Sequence, residues 1–234
     1  PLLTELYTAT KCEDNFELYV EIPDASGCVS RSSLEIANLG DTMSPLTPII
    51  TDVSVDVNGR SVISWTSSPD AYDYEIYQYG PQGWETIGSV LAPTTVFSYT
   101  LSNAGDYSET FSVRALDTCD NTRSRSLEHN SMHLTAVLDV CDHSFDLSWN
   151  EYINWPSGVS YYNLIVEETD LNGVSVTVVD TNLNVSNYVV NGLRDKYSYR
   201  IYVVAHDNNN IFSALSNQLV VIPALPKTPD YNYI

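Results

Sequence analysis

The clearest pattern in the chain is strict two-residue alternation. Val53, Val55 and Val57 fall on one side of an extended segment, and Asp52, Ser54 and Asp56 on the other, as in an antiparallel strand with one buried face. The next segment, Val62-Ile-Ser-Trp65, places Ile63 and Trp65 together. Phe145-Asp-Leu-Ser-Trp149 repeats the arrangement, with Phe145, Leu147 and Trp149 inward and Asp146 and Ser148 towards water. Turn signals separate these runs at Asn58-Gly59, Pro81-Gln-Gly83 and Asn172-Gly173, positions suited to hairpins. The pattern predicts a nearly all-β chain with close to seven strands per repeat.

The runs recur at fixed spacing. Leu18-Tyr-Val-Glu-Ile-Pro-Asp24, Phe111-Ser-Val-Arg-Ala-Leu-Asp117 and Ile201-Tyr-Val-Val-Ala-His-Asp207 match one another, and Asp117 and Asp207 lie 90 residues apart. Such self-similarity identifies a repeat. It predicts one unit over 45–134 and a second over 135–223, with 1–44 holding the last strands of a preceding unit and 224–234 a linker. Pro45 and Pro48 mark the first junction, and Pro223, Pro226 and Pro229 the last, where proline stiffens the chain. Leu127 to Asp139 contains neither Gly nor Pro, which predicts a stiff, narrow central hinge. Tyr74 follows Trp65 by nine residues and Tyr162 follows Trp149 by thirteen. The second unit thus has a longer loop there, containing Trp155 and Pro156.

Composition narrows the function classes. The 234 residues suit two small sandwiches. Seventeen Tyr and a net charge of −20 favour strands and oppose nucleic acid or anionic lipid as partners. No apolar run is long enough to cross a bilayer as a helix, so direct membrane insertion is not expected. Cys12, Cys28, Cys119 and Cys141 lack the close pairs of a zinc site, which favours disulfides in an oxidising compartment.

The core tryptophans of the second strands, with Leu193 followed six residues later by Tyr199 and then Ile201, Val203 and Ala205, resemble fibronectin type III domains. The resemblance implies tandem immunoglobulin-like β-sandwiches arranged end to end, with Trp65, Trp149 and Tyr199 in the cores and Tyr199 at a tyrosine corner. The earlier unit departs from it, since the repeat places Glu109 at the corner position. Ala-Leu-Asp-Thr-Cys-Asp-Asn, His129-Asn130 and Leu-Ser-Trp-Asn-Glu-Tyr further resemble modules of large Bacteroidetes surface proteins associated with gliding motility or type IX secretion. This resemblance implies a secreted or cell-surface location, and a non-catalytic spacer or adhesion role with neighbouring modules, surface glycans or proteins as partners. Accessory modules of a secreted carbohydrate-active or other extracellular enzyme are the competing reading, and ligand binding by the long second-unit loop is a third.

In the fibronectin topology a Cys119–Cys141 bridge is disfavoured, because the two lie at opposite ends of successive modules and bridged Cα atoms lie within about 7 Å. Cys12 with Cys119 is open, and Cys28 and Cys141 would then pair with modules outside these residues. Asp70, Asp73, Asp117 and Asp120 are expected near one pole, where carboxylates could hold calcium, although their spacing matches no calcium loop and solvated charge is the favoured reading in so acidic a chain. No other cofactor is expected. Tyr152, Trp155 and Tyr161 could form an aromatic platform for a sugar or protein, or fold over the end of the core. His129 and His133 cannot share a metal ion, because four strand residues span about 13 Å. No catalytic motif is present, and Glu167 and Glu168 fall on opposite strand faces.

Overall fold

The computed structural model describes residues 12, 14–33 and 35–226, and among these there is no helix. The first strands form a ladder of hairpin pairs. β1 (Asp14–Leu18) pairs with β4 (Glu35–Leu39), and β2 (Glu21–Pro23) with β3 (Val29–Arg31), all antiparallel. Asp24 closes the turn by accepting the backbone N–H groups of Ser26 and Cys28. Both faces of β2 and β3 are exposed.

Next comes a sandwich of two antiparallel sheets. β5 (Ile50–Val55), β6 (Ser61–Trp65) and β9 (Val96–Ser98) form one sheet in the order β5-β6-β9. β7 (Asp73–Gly80), β8 (Gly83–Leu91), β10 (Thr110–Leu116) and β11 (His129–Asn130) form the other in the order β11-β10-β7-β8. Alternation sets the interior: Val53, Val55, Ile63 and Trp65 from one sheet meet Tyr74, Ile76, Phe111, Val113 and Ala115 from the other, all buried. Each such side chain contributes about 1.5–3 kcal/mol on burial when large and apolar. Trp65 packs edge-on against Tyr74, with ring centroids 5.4 Å apart. Val57, expected on the inner face, is exposed, because the strand ends at Val55. Asp56 caps the following turn by accepting from Asn58 N–H and Arg60 N–H. Gly59 there has φ +75° and lies so close to Gly105 that an added Cβ would sit 3.2 Å from its Cα, so only glycine fits.

The second sandwich repeats this plan. β12 (Leu134–Asp139), β13 (Ser144–Trp149) and β16 (Asn187–Asn191) form the three-stranded sheet. β14 (Val159–Thr169), β15 (Ser175–Leu183), β17 (Ser198–Asp207), β18 (Ser213–Leu215) and β19 (Leu219–Val221) form the opposite one, in which β18 and β19 both pair with β17. Phe145, Leu147, Trp149, Tyr162, Leu164, Val166, Tyr199, Ile201, Val203 and Ala205 fill the interior.

The two sandwiches close the same corner with different chemistry. Tyr199 Oη accepts from Arg194 N–H at 2.8 Å and donates to Glu168 Oε2 at 2.6 Å. Burial and the adjacent Glu168 carboxylate push the phenol up to about 12. In the first sandwich the carboxylate of buried Glu109 accepts from Ser61 Oγ, Gln78 Nε2, Asn103 N–H and Ser102 Oγ. The corner that sequence comparison leaves without its tyrosine is therefore tied by a charged acceptor with several donors.

Candidate functional site

The region with the most specific side-chain chemistry is the junction between the sandwiches. β5 ends its sheet, so its free edge presents unpaired backbone groups. The long loop before β14 covers that edge. Trp155 Nε1 donates to the Thr51 carbonyl at 2.6 Å, and the Val53 N–H donates to Tyr152 Oη at 3.0 Å. One strand further on, Leu215 N–H donates to Ser54 Oγ at 3.1 Å. Tyr152 and Trp155 are each only 3% exposed, with ring centroids 4.1 Å apart. Apolar packing runs without a break from Ile50 through Met132, Tyr152 and Trp155 into both interiors.

A buried histidine completes the contact. His129 Nδ1 lies 3.0 Å from Tyr152 Oη, and its side chain is 1% exposed. Tyr152 Oη thus accepts from Val53 N–H and shares one proton with His129 Nδ1, a pairing that a neutral imidazole makes in either tautomer. Burial lowers the His129 pKa to about 4 and pushes the Tyr152 phenol well up. Around this centre Asn154 Nδ2 donates to the Glu128 carbonyl, Asn130 Nδ2 to the Glu151 carbonyl, and His133 N–H to Asn150 Oδ1. Asn217 clasps Leu134 through both of its backbone groups. The hinge expected to be narrow is thus a broad, hydrogen-bonded and largely buried contact.

No family model matches the chain, and no curated protein matches it. Among solved structures it is similar to a chicken CNTN1 fragment spanning FN1–FN3, at 12% identity and TM-score 0.31, covering 89% of this chain and 77% of that one. A two-domain fibronectin type III segment of chicken tenascin shares 14% identity at TM-score 0.29, covering 77% of this chain and 100% of that one. The central fibronectin III array of a RIM-binding protein shares 17% at TM-score 0.31, covering 80% and 71%. In each unit a three-stranded sheet faces a larger one, with the corner residue on β17 in the second unit (Tyr199) and immediately before β10 in the first (Glu109). The fold is a tandem of fibronectin type III-like β-sandwiches.

Within these fibronectin type III-like modules the remaining candidate residues fall into place. Trp65 and Trp149 are core residues of different modules, each set edge-on to a tyrosine, Tyr74 and Tyr162 respectively. Tyr152 and Trp155 do not form an open platform, because the β5 edge occupies both. Tyr161 is separate from them, half-buried and stacked on His206 at 4.7 Å. Cys12 and Cys119 are joined by a disulfide, with Cα atoms 5.0 Å apart, while Cys28 and Cys141 are exposed free thiols. Asn121 Nδ2 donates to the Asp41 carbonyl, Ser44 Oγ to the Thr122 carbonyl and Thr47 Oγ1 to the Ser124 carbonyl. These bonds lay the linker beside the segment that follows β10.

Asp70, Asp73, Asp117 and Asp120 do not converge. Among the described residues the one group of three potential metal ligands is Asp41, Asp117 and Cys119, and the Cys119 sulfur is committed to the disulfide. Asp117 accepts from Cys119 N–H, Asn121 N–H and Asn121 Nδ2, bonds that hold its pKa below the ordinary value against the opposing effect of burial. The four carboxylates grouped by sequence are thus not brought together as one ligand set among the described residues, and Asp117 serves its own turn. Glu167 pairs with Arg200 on the outer face and Glu168 with Tyr199 on the inner. The sequence did not expose the β5 edge as a receptor for the long loop. The insertion of Trp155-Pro156 into an otherwise matched repeat was the available signal.

Proposed function

We propose that the chain is a stiff, non-catalytic spacer segment of a large extracellular or cell-surface protein, of the kind its repeat wording resembles in Bacteroidetes surface arrays. The observation that carries this reading is the sealed junction: Trp155 and Tyr152 hydrogen-bonded to β5, with His129 beneath them. A flexible tether between the modules would need none of these buried polar pairings. These pairings in a buried contact favour one relative orientation, since misalignment would leave the paired groups without partners. The Cys12–Cys119 disulfide extends the same logic to the preceding hairpin and fits an oxidising, extracellular compartment. On this reading the partners are adjacent modules of the same polypeptide, and contact with surface glycans or proteins is adhesive rather than catalytic.

Small-angle X-ray scattering of the 234-residue chain and its Trp155→Ala variant tests the spacer reading. A wild-type profile fitted by one fixed arrangement, with a broadened distance distribution in the variant, is the expected result. Wild-type scattering that requires an ensemble of module orientations would defeat it.

A further inference from the structure

The outer face of the four-stranded sheet of the first module carries a stacked layer of cations and rings. The Arg125 guanidinium lies over Trp84 at 4.7 Å and over Tyr77 at 4.9 Å, and Arg114 lies over Tyr77 at 5.4 Å. Tyr77, on this outward face, is only 7% exposed. The two arginines differ in one respect. Arg114 is neutralised by Glu75, whereas Arg125 forms no ion pair and donates no hydrogen bond among the described residues. Arg60 and Arg123 likewise form no ion pair among the described residues, but of these three only Arg125 lies over aromatic rings. With its guanidinium carbon over both rings, a guanidinium stacked on them leaves its in-plane N–H groups to grip a carboxylate with two parallel bonds.

Arg125 also lines a groove of about 370 Å³ together with Trp84, Ser124, Leu127, Glu128 and Asn154. Trp84 is half-buried and Leu127 is 69% exposed, which gives the groove apolar walls. Asn154 comes from the long loop of the second module, and its Nδ2 is tied to the Glu128 carbonyl, so its Oδ1 remains an acceptor. One cation, one carboxylate wall, an amide and apolar sides are a poor match for a polyanion, which Glu128 and the −20 chain would repel. They match a hydroxylated ring bearing a single carboxylate, whose carboxylate meets Arg125, whose hydroxyls donate to Glu128 and Asn154, and whose C–H face packs on Leu127 and the rim of Trp84.

We propose that this groove binds a uronic-acid sugar unit, with Arg125 as the carboxylate reader and Trp84, whose ring carries the guanidinium, as the residue that positions it. The site deepens the adhesive part of the proposed function and rests on the fixed junction, because Asn154 reaches the groove only while the two modules hold their orientation.

The test is an NMR titration of the 234-residue chain with a glucuronate-terminated disaccharide, its methyl ester and a glutamate-containing peptide, read at the Trp84 indole N–H and Arg125 Nε–H. Saturable shifts with the acid sugar are expected, weakened at least about tenfold by esterification, by Arg125→Lys, which keeps the charge but loses the fork, and by Trp84→Ala. The amide spectra of both variants should otherwise match wild type, and the esterification arm leaves the protein unaltered. No saturable shift, equal binding of the ester, or undiminished binding by Arg125→Lys would overturn the proposal. Tighter binding of the peptide than of the sugar would also overturn it and identify an acidic peptide as the partner. Because these signals report on Arg125 directly, they remain readable if scattering finds the modules mobile, so the two ideas fail separately.

Discussion

The Trp155 ring fills the junction while its N–H satisfies a carbonyl that strand pairing leaves open. Trp155→Ala removes both contributions, so an equilibrium urea titration should show a loss of about 3–5 kcal/mol. His129 is the buried histidine of this contact, and its charge responds to acid. Its folded pKa of about 4 lies below its ordinary 6.5, so the neutral form is the one the fold favours. The stabilisation is fully present above about pH 6.5, diminishes as the pH falls from there, and is gone below about pH 4. That gap corresponds to about 3 kcal/mol. Half-buried Asp52, whose pKa is raised by desolvation, acts in the opposite direction, because protonation suits its site. Comparing melting temperatures of wild type and His129→Gln from pH 7 to 4 isolates the imidazole. The wild type should lose more stability on acidification than the variant, and parallel curves would contradict this assignment.

At the scale of elements, the strands and their inner faces were legible because alternation in Val53-Ser-Val55 and Phe145-Asp-Leu-Ser-Trp149 is a local property of the chain. The junction was not, because burial of Trp155 depends on a strand edge about a hundred residues earlier, and no local pattern encodes that meeting. The same limit applies to the acidic pole: residue type placed Asp117 among possible ligands, but its own turn uses its oxygens. Glu109 shows a repeat conserving a task while changing its chemistry. Glu109→Ala leaves Ser61, Gln78, Ser102 and Asn103 without their shared acceptor, and chemical denaturation should register a loss of about 2–4 kcal/mol. Tyr199→Phe deletes one hydroxyl between Arg194 and Glu168 and should cost about 1–3 kcal/mol, measured in the same way. Reduction of Cys12–Cys119 frees the leading hairpin from the module that follows. Limited proteolysis should then cut within 19–33 while leaving 50–225 intact, and equal resistance before and after reduction would argue against the disulfide as the clasp.

Across the whole molecule, each module has its own pair of sheets, and the apolar contact between the modules joins two interiors into one unbroken set. Rigidity is therefore a property of the pair, set by the loop of one module clasping the edge of the other. Residual dipolar couplings measured separately for 50–130 and 134–225 in a dilute aligning medium test this most directly. The account predicts one common alignment tensor for the two sets in the wild-type chain, and two tensors of unequal magnitude in Trp155→Ala. Unequal tensors in the wild type would contradict it.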